Sequence, residues 1–325
     1  MNTRSEFRWV WWSLCIFVFA LVILPWVGPG PISISQVLGM ESPDYPIFVE
    51  LRISRVLLGL FVGASLSLTG ALFQAMLRDS LATPYTLGVS SGASLGAILA
   101  IALRLPAILG IPAPWVAAFA GAALVLAVVA GAATQSGAYS SYRLLLTGIS
   151  MNGVCSALIL LVHSLARDAR SLSITHWLLG NIDSVRYEAL GAFVLISLIV
   201  GGLMIAKAPQ WNLLMVGEAW ASSRGVSPSR LMRFGFFGGS MLTAGSIALC
   251  GPIGFVGLIV PHMVRSRCSA DYRILMPCSF LLGGALLASA DALGRVFIAP
   301  AELPAGAVMA LLGGPYLIWL VRRKF

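Results

Sequence analysis

"GPIGFVGLIVPHMVR", residues Gly251 to Arg265, decides how this chain is read. It is apolar enough to lie in lipid, yet it holds three glycines and two prolines and ends in His262 and Arg265. Helix breakers are tolerated at membrane depth only where protein or a water-filled cavity satisfies the freed backbone groups. The stretch therefore predicts a broken, protein-covered segment inside a helical bundle. Gly251-Pro252 ends one helix in a turn; a short helix follows, Pro261 kinks it, and Arg265 is expected at the inner headgroup level.

The rest of the chain agrees. Of 325 residues, 58% are hydrophobic and 10% charged, with a mean hydropathy of +0.92. Soluble domains carry about 25% charged residues, so a soluble globular protein is excluded. Repeated apolar runs of about 18 or more residues indicate a polytopic, all-α membrane protein. A β-barrel would instead show segments of about ten residues with alternating polarity. Ten apolar runs are read, at 9–27, 56–77, 84–103, 113–134, 144–165, 189–206, 234–250, 253–264, 274–292 and 305–321. The first is read as a span and not as a cleavable signal.

Charge supports the count. With the N-terminus inside and ten spans, fourteen Lys/Arg face four acids inside, net +10. Outside, seven arginines (Arg52, Arg55, Arg104, Arg167, Arg170, Arg186 and Arg295) face eight acids, net −1. That asymmetry follows the positive-inside rule and places both termini in the cytoplasm. Nine spans would put Arg322, Arg323 and Lys324 on the side opposite Arg4 and Arg8. The formal charge of +9 is thus a matter of topology, and no nucleic-acid partner is expected. The five cysteines, Cys15, Cys155, Cys250, Cys268 and Cys278, form no CxxC pair, so neither disulfides nor a metal site are expected.

Glycines recur at four-residue spacing: Gly59/Gly63, Gly88/Gly92/Gly96 and Gly235/Gly239. Such ladders let helices approach closely; alternatively they line a pathway. Gly88 to Gly92 also matches G-x-S-x-G, which in hydrolases needs a strand–turn–helix context. Here it sits in an apolar helical run. An intramembrane serine hydrolase using Ser90 with His163, His176 or His262 is one rival.

The polar loop from Lys207 to Arg233 holds Leu213, Leu214, Met215, Val216 and Trp220. These predict short helices with an apolar face, lying either on the membrane or against a cytoplasmic partner. Arg52, Arg55 and Arg295 lie at the outer mouth, against the topological trend. They either snorkel or anchor carboxylates of an outside partner. With two lysines, Lys207 and Lys324, and no glycine-rich loop before either, the chain offers no P-loop. Secondary transporters carry ionisable groups at mid-span, whereas Asp291 and His262 fall near span ends. A secondary transporter of an amphipathic solute, working without an ATPase, remains the alternative.

Eight stretches in order carry a resemblance over about residues 50–322: "LRISRVLLGLFVGASLSLTGALFQ", "LATPYTLGVSSGASLGA", "YRLLLTGIS", "WLLGNI", "NLLMVGEAWASSRGVS", "GPIGFVGLIVPHMVR", "RILMPCSFLLGGALLASAD" and "AELPAGAVMALLGGPYLIWLVRR". The chain resembles permease subunits of binding-protein-dependent ABC importers for iron chelates, haem and cobalamin, the FecCD type. The resemblance implies a single permease domain of about ten spans, the type II importer architecture, in a bacterial inner membrane. It implies a second permease subunit, a homodimer rather than a heterodimer, and two ATPase subunits that hold ATP and Mg. It also implies a periplasmic binding protein above and membrane lipid around. The chain itself is expected to be neither an enzyme nor a cofactor carrier. The expected cargo is a bulky metal chelate, iron–siderophore first, haem or cobalamin next.

Matched residue by residue, the resemblance implies binding-protein docking at Arg52, Arg55 and Arg295. It implies ATPase coupling by the loop 207–233 through Leu213, Gly217, Glu218, Ala221 and Gly225. The inner gate falls at Asp79, Ser80, Leu81, Ser141 and Tyr142, with the fifth span lining the pathway. Three departures stand out: Asp79-Ser80-Leu81 replaces Asn-Pro-Leu, Ser54 replaces the proline before Arg55, and Arg224 replaces leucine before Gly225.

Overall fold

A computed structural model of the chain describes residues 3–324 apart from 31, 41, 109, 136, 137, 167, 299 and 300. Arg167, one of the seven outer arginines, falls outside them. In chain order the helices are α1 (Thr3–Ile23), α2 (Ile34–Leu38), α3 (Asp44–Pro46), α4 (Ser54–Leu77), α5 (Val89–Leu103), α6 (Ala113–Ala133), α7 (Ser141–Leu165), α8 (Asp168–Leu179), α9 (Tyr187–Ala206), α10 (Ala208–Val216), α11 (Glu218–Ser223), α12 (Pro228–Cys250), α13 (Val256–Arg267), α14 (Tyr272–Phe297) and α15 (Ala305–Lys324). The β structure among the described residues is one two-residue pairing, Thr134–Gln135 with Ala138–Tyr139, and an isolated bridge between Ile108 and Ile111.

Ten helices, α1, α4–α7, α9 and α12–α15, correspond to the ten apolar runs. Six stretches are long and apolar enough to cross a membrane on length and composition alone. The others need their neighbours: α5 has 15 residues and α13 has 12. The end of the bundle bearing Arg52 and Arg55 is here termed outer, following the charge asymmetry.

A π-helical run, Ile47–Ile53, joins α3 to α4, so Asp44–Leu77 is one continuous 34-residue rod. At about 1.5 Å per residue it is about 50 Å long, well beyond the roughly 30 Å hydrocarbon core. Helix α4 packs against α14, α12, α13 and α9, and it is buried on every side from Leu58 to Met76 except at Phe61. A helix apolar all round is one enclosed by others.

The glycine sets explain how those helices come so close. A Cβ at Gly63 would run into the Gly283 carbonyl, and one at Gly70 into the Gly257 carbonyl. Gly92 faces Gly121 and Val125 of α6, Gly96 faces Ala117, and Gly239 faces Phe73. These are packing surfaces of the kind small residues make between membrane helices. Gly88, at φ 75, opens α5. The G-x-S-x-G match therefore lies in a turn–helix without a strand. Ser90 is buried, His163 bonds Ser171 and Thr175 at 3.1 and 3.2 Å, and the His262 ring faces that of Tyr316.

The stretch 251–265 folds as its breakers demand. Helix α12 ends at Cys250, and Gly251 takes φ 69, where glycine alone is unstrained. Residues 251–255 are not helical, and α13 starts at Val256. The freed backbone is met by protein. The Asn181 amide donates to the Cys250 carbonyl at 2.9 Å, the Gly306 amide to Gly180 at 2.9 Å, and Gln74 Nε2 to Gly257 at 3.3 Å. The segment after α8 thus dips over the break, and Pro261 and His262 are buried. Because α13 lies along α4, the Arg265 guanidinium turns inward, donating to Gln74 Oε1 at 3.0 Å and to the Tyr272 hydroxyl at 3.4 Å.

Candidate functional sites at the two ends of the central rod

The outer end of the rod is a charge cluster. Arg52 is 7% exposed and donates to the carbonyls of Pro25, Pro29 and Gly30 at 3.5, 3.3 and 2.9 Å. It stitches the loop after α1 to the rod. Arg55 grips Asp291 of α14 through Nε at 3.1 Å and Nη2 at 3.0 Å, and Glu302 through Nη1 at 2.8 Å. Arg295, one turn along α14, sets its Nε 3.1 Å from Asp291 Oδ2. A Cβ at Gly28 would sit 3.2 Å from Arg52 Cζ and 3.5 Å from Arg295 Nη1, so two guanidiniums converge on that glycine.

Asp291 is 2% exposed and Arg295 3%. Ions buried this deeply are held only where partners and hydrogen bonds offset their lost hydration. With Asp44 acting on Arg52 as well, three arginines face three carboxylates. Sequence alone offered snorkelling or anchoring for these arginines. In the fold Arg52 and Arg295 are turned inward, and Glu302 is the accessible member, at 39% exposed. The acidic partners Asp291 and Glu302 were missed. The Asp291–Arg295 spacing of i, i+4 was the readable signal.

At the inner end, Arg78 caps α4 in the left-handed region at φ 53. Asp79 Oδ1 accepts the Leu81 amide at 2.9 Å, an Asx turn. That explains the Asp79 departure, because aspartate supplies the same side-chain acceptor as asparagine. Ser80 and Leu81 are exposed. Ser141 Oγ donates to the Met76 carbonyl at 3.0 Å, and Tyr142 beside it is exposed. The two segments expected to form the inner gate, distant in sequence, therefore meet at the end of α4.

The segment 207–233 holds two short helices, as its apolar residues predicted; its last six residues correct the expected loop end, because Pro228 opens α12. Gly217 separates them at φ 155 and ψ 154, a region essentially reserved for glycine; Gly225 follows α11 at φ 80. Helix α10 is fixed from above. Trp211 Nε1 donates to Met204 at 3.1 Å, Asn212 Nδ2 to Asp271 Oδ1 at 2.6 Å, and Asn212 Oδ1 accepts the Tyr272 amide at 2.9 Å. Leu213 is half-buried and Ala221 buried, while Val216 and Trp220 stay exposed. Glu218 reaches Arg78 at 3.3 Å.

Helix α7, the fifth span, buries one stripe, Leu144, Gly148, Cys155 and Ile159, and exposes Leu146, Ile149, Leu158 and Leu161. A lateral crevice of about 760 Å³ lies between α6, α9 and α12, lined by Trp115, Phe119 and Phe193. None of the outer-mouth or gate residues lines it.

The profile of the FecCD transport family matches residues 14–323. The hemin transport system permease protein HmuU of Yersinia pestis is 35% identical over 100% of this chain and 98% of its own length. The cobalamin import system permease protein BtuC of Halobacterium salinarum is 37% identical over 88% of this chain and 76% of its own. Among solved structures, one assigned as a metal-chelate type ABC transporter in an inward-facing conformation superposes with a TM-score of 0.85. That match has 29% identity and covers 98% of this chain and 99% of the other. With its helical bundle, buried central rod and pair of short loop helices, the chain belongs to the FecCD transport family, as a polytopic membrane permease of a metal-chelate type ABC importer.

Proposed function

We propose that this chain is the membrane subunit through which an ATP-driven importer carries a bulky metal chelate from periplasm to cytoplasm. It sits in a bacterial inner membrane with both termini cytoplasmic, the arrangement its charge asymmetry supports. The observation that carries the proposal is a single rod with a cluster of arginines and carboxylates at one end and paired short helices at the other. Two copies pack around a common pathway, and the apolar residues α7 exposes, with Leu311, Leu312 and Ile318 of α15, are available for that contact. Two ATPase subunits hold ATP and Mg and receive α10 and α11 through Val216 and Trp220. The binding protein brings acidic residues to the outer cluster, where they compete with its own carboxylates for the arginines; the exposed Glu302, paired with Arg55, lies at the point of entry.

The exposed residues of α7, the span expected to line the pathway, are mostly apolar, which suits a cargo passed on without tight binding. Ferric siderophore is the first cargo to test, then haem and cobalamin. All three enclose a metal in a large organic ligand. The test is uptake into proteoliposomes containing the purified complex, with binding protein outside and ATP inside. Uptake that needs both, and survives collapse of the proton gradient, is expected. In the same vesicles Arg55→Glu should weaken binding-protein capture by about tenfold or more, measured on complex that matches the unaltered one on size exclusion, because Arg55 also pairs with buried Asp291. Uptake without ATP that stops with the proton gradient would put the secondary transporter in its place.

A further inference from the structure

We infer that Arg78 is the residue through which α11 drives the inner gate, by its ion pair with Glu218. This rests on the importer function proposed above and deepens it.

The geometry is direct. Arg78 is the cap that follows the last residue of the rod, and Asp79 to Leu81 follow it without a spacer. The Ser141–Met76 hydrogen bond lies two residues before it. A shift of Arg78 therefore shifts both gate segments. On the other side, Glu218 is the first residue of α11, immediately after the glycine that separates α11 from α10. The remaining polar side chains of α11 turn back on their own helix: Ser222 bonds Glu218 and Ser223 bonds Trp220, while Arg224, just beyond it, lies over the Trp220 ring. Among the described residues, Arg78–Glu218 is the ion pair joining α11 to the rod.

The rod can carry displacement. No proline interrupts Ser54–Leu77, and that stretch is enclosed by α14, α12, α13 and α9. Helix α10 is pinned to the start of α14 through Asn212 and packs on the rod, and α11 packs on α10 and α12 through buried Ala221. To that packing the Arg78–Glu218 pair adds a direct ionic link from α11 to the residue that leads into the gate turn. The pair itself is half in solvent, 41% and 39% exposed at 3.3 Å. Exposed pairs contribute little to folding, so breaking this one should leave the protein assembled and affect transmission.

The test uses the assembled complex in proteoliposomes and reads cargo transported per ATP hydrolysed, a ratio that a merely structural role would not move. Arg78→Glu and Glu218→Arg should each lower that ratio by about tenfold, within the range of coupling between linked sites. Arg78→Lys should retain most of it. The exchanged pair, Arg78→Glu with Glu218→Arg, should recover it to within about threefold, the non-additivity expected of residues in contact. Unchanged ratios in the single variants, or losses that multiply in the exchanged pair, overturn the inference while leaving the importer intact. Absence of ATP-driven uptake by the unaltered complex would remove both.

Discussion

Asp291→Asn will destabilise the folded chain by about 3–5 kcal/mol, the usual cost of breaking a buried ion pair by removing one partner. Asp291 is gripped by Arg55 and approached by Arg295; Arg55 would keep Glu302 at 2.8 Å, whereas among the described residues Asp291 is the carboxylate within ion-pair distance of Arg295. Arg295 already has Nη2 buried without a hydrogen-bond partner, so asparagine leaves two cations facing a neutral amide. The loss should appear as a lower unfolding temperature and an aggregated fraction on size exclusion in detergent. Glu302→Gln is the control. Its carboxylate meets Arg55 at 2.8 Å but is 39% exposed, and removing such a partner costs about 0–1 kcal/mol. Equal stability losses in the two variants would contradict the description of Asp291 as the keystone of the outer end.

Gly70→Leu gives the second large effect. Gly70 faces the backbone of Gly257, in the stretch whose breakers posed the first structural question. Overpacking a membrane or soluble core costs roughly 1–3 kcal/mol where side chains can yield. Here the obstacle is a carbonyl whose oxygen already accepts from Gln74, so the cost should reach or exceed that upper end. Gly131→Leu on α6 meets nothing within 4 Å and should be neutral. Yield of monodisperse protein, compared between the two, measures the difference. Comparable yields would mean that α4 and α13 are not in close contact.

These contrasts show what could be read from residues alone. The ten runs were legible because apolar length is a direct signal, and Gly251-Pro252 marked a real helix end. Their edges were less so. The third run was started at 84, but Gly88 at φ 75 delays α5 to Val89. The second was started at 56, while the rod reaches back to Asp44 through a π-helical run that no apolar pattern announces. Helix α8 was not read, since "DARSLSITHWLL" is too polar for a span; its buried Ile174 belongs to a satellite packing on α5 and α7. The outer arginines were legible as a cluster, but their orientation was not. Whether an arginine faces solvent depends on Asp291, 236 positions from Arg55. The same limit hid the Arg78–Glu218 pair, 140 positions apart, although Glu218 stood out by resemblance.

The central claim, a permease that moves cargo with the energy of a partner ATPase, is tested most directly by isolating the tagged chain from its native membrane in mild detergent and weighing what comes with it. An ATPase subunit in near-equal amount, with a single permease species, is the predicted result, and a copurifying binding protein would identify the cargo. No ATPase, even after cross-linking in intact membranes, would contradict it.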